Sequence, residues 1–224
     1  AFAIAVGVLH SKLLIRLSEW LERFLYRRAD AVMVNSPGFI AHVKERGARR
    51  VELVPNGADA EMFDPSLDGT AFRQQHNLQG KFIALYAGAH GLSNDLGVVL
   101  DAAVLLRSHP EIAIVLLGDG KDKPILQARA AELGLENIHF LPPIPKVQMP
   151  GALAAADACI AILKPIEMYR TVYPNKVFDY MAAGKAVLLA IGGVIQQVIE
   201  EAQGGLAVEP GNPQALANAI QALA

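Results

Sequence analysis

Apolar positions in this chain gather into short unbroken runs, and amphipathic stretches with helical spacing lie between them. Ala31 to Val34, Val51 to Val54, Phe82 to Ala87, Ile112 to Leu117, Ile138 to Leu141, Ala158 to Leu163, Ala186 to Ile191 and Leu206 to Val208 read as buried strands. Helices are predicted over Leu13 to Tyr26, Ser36 to Gly47, Phe72 to Leu78, Leu96 to Leu106, Lys123 to Leu133, Val147 to Ala155, Pro174 to Ala183 and Val194 to Ala202. Pro150 and Gly151 argue for a break near the start of the helix at Val147. Asn212 and Pro213 cap a last helix whose Leu216, Ala219, Ile220 and Leu223 share one face. Asp59 to Gly69 has turn residues and little periodicity, so it reads as a linker. Strand and helix alternate throughout. That predicts an α/β protein with a doubly wound parallel sheet. No internal repeat or low-complexity tract interrupts the alternation.

Composition narrows the picture only a little. The 224 residues allow one or two domains and a real core. With 53% hydrophobic residues, a net charge of −2 and no basic block, nothing in the sequence argues for disorder or for nucleic-acid binding. Cys159 is the single cysteine, which excludes an intramolecular disulfide and suits a reducing compartment. It sits in an apolar run and reads as a buried structural thiol. Ala1 to Leu9 is apolar but lacks the positive flank of a signal peptide and the length of a membrane span. The chain starts without methionine and reads as the inside of a larger protein.

The first predicted helix mixes Lys12, Arg16, Arg23, Arg27 and Arg28 with Leu13, Leu14, Leu17, Trp20, Leu21, Phe24 and Leu25. A basic amphipathic helix can lie on an anionic membrane. An interface helix with a charged back is the commoner arrangement. In either case Phe2, Leu13, Trp20 and Phe24 predict an apolar face that stays open or is covered by another molecule.

Candidate chemistry concentrates at 173–184, Tyr-Pro-Asn-Lys-Val-Phe-Asp-Tyr-Met-Ala-Ala-Gly. Pro174 suits a first helical position and Gly184 a helix stop. A helix N-terminus in front of a strand favours an anion through its unpaired N–H groups and dipole. Lys176 can neutralise a phosphate. Asp179, one turn further in, can accept hydroxyl hydrogens from a diol such as a ribose. The plainer reading is a capped helix with solvated charges. Lys164, Arg170 and Lys176 put further positive charge ahead of and on this helix start, which suits a nucleoside diphosphate. Gly88, His90 and Gly91 occupy a loop after a predicted strand, where amides and an imidazole can approach phosphate. Gly118, Asp119, Gly120 and Lys121 follow the next strand. Their plainer reading is a tight strand-to-helix turn. No metal-ligand spacing and no nucleophile elbow occur.

Pro174 to Val187 resembles the donor-site helix of retaining, GT-B-fold glycosyltransferases of the group 1, family 4 type. It is most similar to an envelope-polysaccharide branch with Pro-Ser-Lys-x-Phe-Glu-Tyr-Met-Ala-Ala-Gly. The resemblance places ribose binding on Asp179, one methylene shorter than the family's Glu. The family's Glu-x7-Glu pattern puts Thr171 where the first acidic residue stands, and Glu167 is out of register. Ala29 to Ser36 and Val54 to Pro65 are similar to the family's passage between its two Rossmann-like domains. So residues 1–65 are expected to be the incomplete tail of an acceptor-side domain with its linker, and residues 66–224 a donor-binding domain. The family's closing helix, which crosses back to the first domain, is not evident before Ala224. Leu141 to Pro145 matches a turn that lines the family's nucleobase pocket.

The resemblance implies a hexosyltransferase-type enzyme that takes a sugar from a nucleoside-diphosphate donor. The acceptor would be a glycan or lipid-linked hydroxyl. No metal or other cofactor is implied. The intact protein would be cytoplasmic, with peripheral association at the inner face of the membrane. The donor-binding set expected from these readings is Gly88, His90, Gly91, Asp119, Lys121, Lys164, Arg170, Thr171, Asn175, Lys176 and Asp179. No residue reads as general base or nucleophile. Another reading is a non-catalytic nucleotide-binding or regulatory module of the same fold. An epimerase of this fold should carry its own acidic and histidine pattern, which the sequence does not show.

Overall fold

The computed structural model describes residues 11–224, and the apolar stretch Ala1 to Leu9, with Phe2, lies outside the described residues. Helix α1 spans Lys12–Arg28. Strands β1 (Val32–Val34) and β2 (Val51–Leu53) form a two-stranded parallel sheet. A 3-10 turn at Pro37–Phe39 and helix α2 (Ile40–Glu45) connect them. The single helix expected from Ser36 to Gly47 is thus split. At the 3-10 start the Ser36 side chain accepts a long, 3.4 Å hydrogen bond from the Gly38 N–H.

Helix α1 turns its polar face inward. Glu22 pairs with His42 and Arg46 of the α2 region, each at 2.9 Å. Leu13, Leu17, Trp20 and Phe24 point outward, with Leu13 76% exposed. The apolar face, expected to stay open or to be covered by another molecule, is not covered by the chain's own described residues.

The linker leads through helix α3 (Thr70–Gln75) into the larger sheet. Its strands are β3 (Phe82–Ala87), β4 (Ile112–Leu117), β5 (Ile138–Leu141), β6 (Ala158–Ile162), β7 (Ala186–Ala190) and β8 (Gly205–Ala207). Helices α4 (Leu96–Leu105), α5 (Lys123–Glu132), α6 (Met149–Ala155), α7 (Asn175–Ala182), α8 (Val194–Ala202) and α9 (Pro213–Leu223) alternate with them. The order is β5-β4-β3-β6-β7-β8, with every pair parallel. This is the doubly wound Rossmann-like arrangement. Its order reverses between β3 and β6, so a ligand crevice opens at their carboxyl ends.

Both faces of the sheet are covered. Ile112, Ile114 and Leu116 of β4 pack with α4, α5 and α9, while Ala113, Val115 and Leu117 pack with α6, α7 and α8. The alternation follows the two-residue period of a strand. Near-continuous apolar runs are what such a doubly covered parallel sheet requires. Pro150 acts where its chemistry allows. A 3-10 turn at Lys146–Gln148 replaces the expected first helical turn, and α6 begins at Met149 with Pro150 in its opening turn. The linker is held in place: Phe63 is only 2% exposed and joins the core cluster that also holds Leu85, Val115, Val177 and Tyr180.

Candidate functional site

Helix α7 is delivered to the crevice by its own ends. Pro174 is the N-cap in extended conformation, and its carbonyl accepts from the Val177 N–H at 3.1 Å. Gly184, with φ +66°, closes the other end. There the Gly184 N–H donates to Met181 O and the Lys185 N–H to Tyr180 O, each at 3.0 Å, a Schellman stop. Tyr180 then anchors the helix to β3. Its hydroxyl accepts from the Ala87 N–H at 3.1 Å and donates to Ala87 O at 3.2 Å.

That anchoring places Lys176 against the glycine loop. Its Nζ lies 3.9 Å from the centre of the Tyr86 ring. A Cβ on Gly88, whose φ is +147°, would stand 2.6 Å from the same Nζ, so ammonium and loop backbone approach closely at a glycine. No carboxylate is paired with Lys176 among the described residues. Burial pushes its pKa down to about 7. The Tyr86 hydroxyl donates to Ala89 O at 2.7 Å and holds the loop around it.

Asp179 is half-buried one turn along, and its carboxylate makes no hydrogen bond or ion pair among the described residues. Burial raises its pKa, with Lys146 opposing. Asn175 is exposed at the helix start.

The two glycine loops pack backbone on backbone. A Cβ at Gly118 would meet Gly88 O at 1.9 Å. The His90 N–H donates to Asp119 O at 2.7 Å. Asp119 is exposed, and its Oδ1 accepts from the Gly120 N–H at 2.8 Å, as a turn requires. Lys121 is exposed. Lys123 ties the β4 and β5 ends together by donating to Gly118 O at 2.6 Å and Leu141 O at 2.9 Å. A cleft of about 340 Å³ opens here between Gly88, Gly118, Asp119 and the turn at Pro143 and Ile144. Gly91 faces open space.

Three expectations change. His90 does not extend from its loop. It is 0% exposed, packed near the Tyr86 and Phe140 rings, and both ring nitrogens lack a partner among the described residues. Burial, with Lys123 and Lys176 adding and Asp119 opposing, pushes its pKa down to about 4. Lys164 and Arg170 do not gather with Lys176. They line a second cleft of about 380 Å³ with Gly192, Gly193, Gln196 and Glu209. There the Arg170 Nε lies 3.8 Å from Glu167. Thr171 spends its hydroxyl on Met168 O at 2.7 Å, closing a 3-10 turn over Glu167–Thr171.

Sequence reasoning missed Tyr86 and Tyr180. For Tyr86 the signal was a tyrosine in an otherwise apolar strand, whose hydroxyl needs a partner when buried. Cys159 is fully buried and its thiol is pushed up by burial, as a structural cysteine should be. No group of three or more His, Cys, Asp or Glu side chains is arranged to hold a metal among the described residues.

Residues 81–224 match the family model of the group 1 glycosyl transferases, and residues 4–57 that of a glycosyl transferase 4-like domain. The chain is 27% identical over 214 residues to the D-inositol 3-phosphate glycosyltransferase of Corynebacterium urealyticum, covering 89% of this chain and 49% of that protein. It is 28% identical over 214 residues to the putative colanic acid biosynthesis glycosyl transferase WcaI of Escherichia coli, covering 92% and 52%. The chain thus spans about half the length of these curated relatives. Among solved structures, HepE of Anabaena in complex with UDP and glucose superposes with a TM-score of 0.79 at 23% identity, over 95% of this chain and 57% of that one. WaaG, a glycosyltransferase involved in lipopolysaccharide biosynthesis, superposes with a TM-score of 0.78 at 17% identity, over 100% and 63%. The structural likenesses establish the fold.

Proposed function

This chain belongs to the group 1 glycosyl transferases, and on that premise we propose that it is the donor-binding portion of an enzyme that takes a hexosyl group from a nucleoside diphosphate. The whole enzyme transfers the sugar with retention to a hydroxyl of a glycan or lipid-linked acceptor in polysaccharide biosynthesis. It does so without a metal or other cofactor, in the cytoplasm and in peripheral contact with the inner face of the membrane. Its catalysis is positioning plus stabilisation of the leaving diphosphate.

Lys176 carries this reading. An ammonium buried against an aromatic face and a glycine, with no carboxylate paired to it among the described residues, sits at a helix N-terminus where a phosphate gains most. Asp179 stands one turn along the same helix, its carboxylate free of hydrogen bonds and ion pairs among the described residues, and can accept from the hydroxyls of a ribose. HepE binds UDP and UDP-glucose on the same fold, which supports a uridine nucleotide as the first donor to try.

Calorimetry with UDP and UMP tests the reading. A second phosphate adds charge-assisted hydrogen bonds of roughly 1.5–3 kcal/mol each, so UDP should bind at least about tenfold tighter. Equal affinities would remove the basis for the site. Thr171, standing where the family has an acidic residue and already bonded to Met168, favours a second reading as a non-catalytic nucleotide-binding module. Sugar transfer or donor hydrolysis by the full-length protein decides between the two.

A further inference from the structure

We propose that Ser36, Gly38 and Asn56 are positioning residues for the donor site: they fix the backbone of residues 171–173, which leads into α7 and sets where Lys176 meets the Gly88 loop. The inference rests on the donor-site reading above and adds residues from the other sheet of the molecule to it.

Three contacts converge on this short segment. Ser36 is 0% exposed, and its hydroxyl donates to Thr171 O at 2.6 Å, across 135 residues of sequence. Gly38 lies so close that a Cβ would stand 2.6 Å from both Thr171 Cα and Thr171 O. Asn56 donates its Nδ2 hydrogen to Tyr173 O at 2.8 Å. A Cβ on Gly193 would stand 2.1 Å from Arg170 O, so a second backbone packs closely on the residue just before this segment.

A carbonyl held by a hydrogen bond fixes its whole planar peptide unit. With Thr171 O and Tyr173 O both held, the approach of Pro174 to the first turn of α7 has little freedom. The far end of the same helix is locked by Tyr180 and Gly184. The direction in which Lys176 leaves the helix therefore depends on side chains from the β1–β2 unit. A buried serine hydroxyl whose acceptor lies 135 residues away is a long-range device, with no role in local turn geometry beyond the weak 3.4 Å bond from Gly38 N–H.

The test uses the whole 224-residue chain and two variants, Ser36→Ala and Asn56→Ala. Asn56 is only half-buried, so its variant folds even if loss of Ser36 proves too costly. UDP and uridine affinities are measured by calorimetry, and hydrogen exchange is followed across residues 168–176 without ligand. Each variant should bind UDP about three- to tenfold more weakly, the effect of one lost hydrogen bond on a held loop. Uridine affinity should fall less than UDP affinity, because its ribose acceptor Asp179 stands further along α7, toward the end that Tyr180 and Gly184 lock. Exchange across 168–176 should quicken while β3, β4 and β7 keep their protection.

Unchanged UDP affinity and exchange in both variants would overturn the inference. So would equal losses for UDP and uridine, which would mark a general loosening of the fold. A wild-type chain that fails to prefer UDP to uridine sinks the donor-site reading itself. That outcome is visible before any variant is compared.

Discussion

Asp179 has a half-buried carboxylate with no hydrogen bond or ion pair inside the described molecule, so its acidic group has no visible structural task. Asp179→Asn should therefore leave the melting temperature of the unliganded chain in place. It should cost nucleotide affinity roughly 1–3 kcal/mol, the scale of hydrogen bonds to a charged group. Calorimetry and a thermal melt on the one variant check both halves. Lys176 adds a pH signature. Its folded pKa is about 7, and a bound diphosphate must raise it. Affinity for UDP should then be greatest near pH 7 and below, and fall as pH rises through the window between the unliganded and liganded values. Lys176→Met should flatten that profile.

His90 gives the opposite kind of signal, in stability. Its folded pKa of about 4 lies below the ordinary 6.5, so the unfolded chain takes up the proton first on acidification. Stability from this residue is complete above about pH 6.5 and drains as pH falls toward 4, by on the order of 3 kcal/mol. Replacing His90 with Phe should remove that part of the acid sensitivity in chemical denaturation. Lys176 and Asp179 were legible because a helix start and its spacing are local facts. His90, Thr171 and Arg170 were not, because the direction of a loop side chain is set by packing from distant strands.

At the scale of elements, the boundaries followed local chemistry closely. Gly184 stopped α7, Asn212 capped α9 through the Ala215 N–H at 3.0 Å, and Pro150 moved the start of α6. What the sequence left open was the destination of α1. Its Glu22 faces α2 while Trp20 and Phe24 stack at 5.6 Å on the outside. An outward apolar stripe on a helix with no buried residue leaves hydrophobic surface exposed to water. The 224-residue chain should self-associate in sedimentation at micromolar concentration. Leu17→Lys with Phe24→Lys should restore a monomer. Because neither side chain contributes to the core, the melting temperature should hardly move. A clean monomer before substitution would show that this face tolerates water.

At the scale of the whole molecule, the alternation of apolar runs and amphipathic helices was enough to predict a doubly wound parallel sheet. Both faces must be covered, and a doubly wound sheet covers them with right-handed crossovers. The path of the linker was not predictable. Asp59 to Gly69 shows little periodicity, yet Phe63 is 2% exposed in the core cluster that includes Val177 and Tyr180, and Pro65 lies against Gly184. A single aromatic anchor carries no repeat for a sequence pattern to reveal. Its energy is nonetheless that of any buried ring. Phe63→Ala should destabilise the large sheet by about 3–5 kcal/mol, because it leaves a cavity in a close-packed core. Leu67, four residues on in the same linker, is 42% exposed, and Leu67→Ala should change stability by less than about 0.5 kcal/mol. Urea denaturation of the two variants separates a structural strap from a passive tether. Equal, small effects would mean that residues 59–69 merely connect the two sheets. A large loss at Phe63 alone would mean that the strap fixes α7 from behind, at the end opposite the one Ser36 and Asn56 hold.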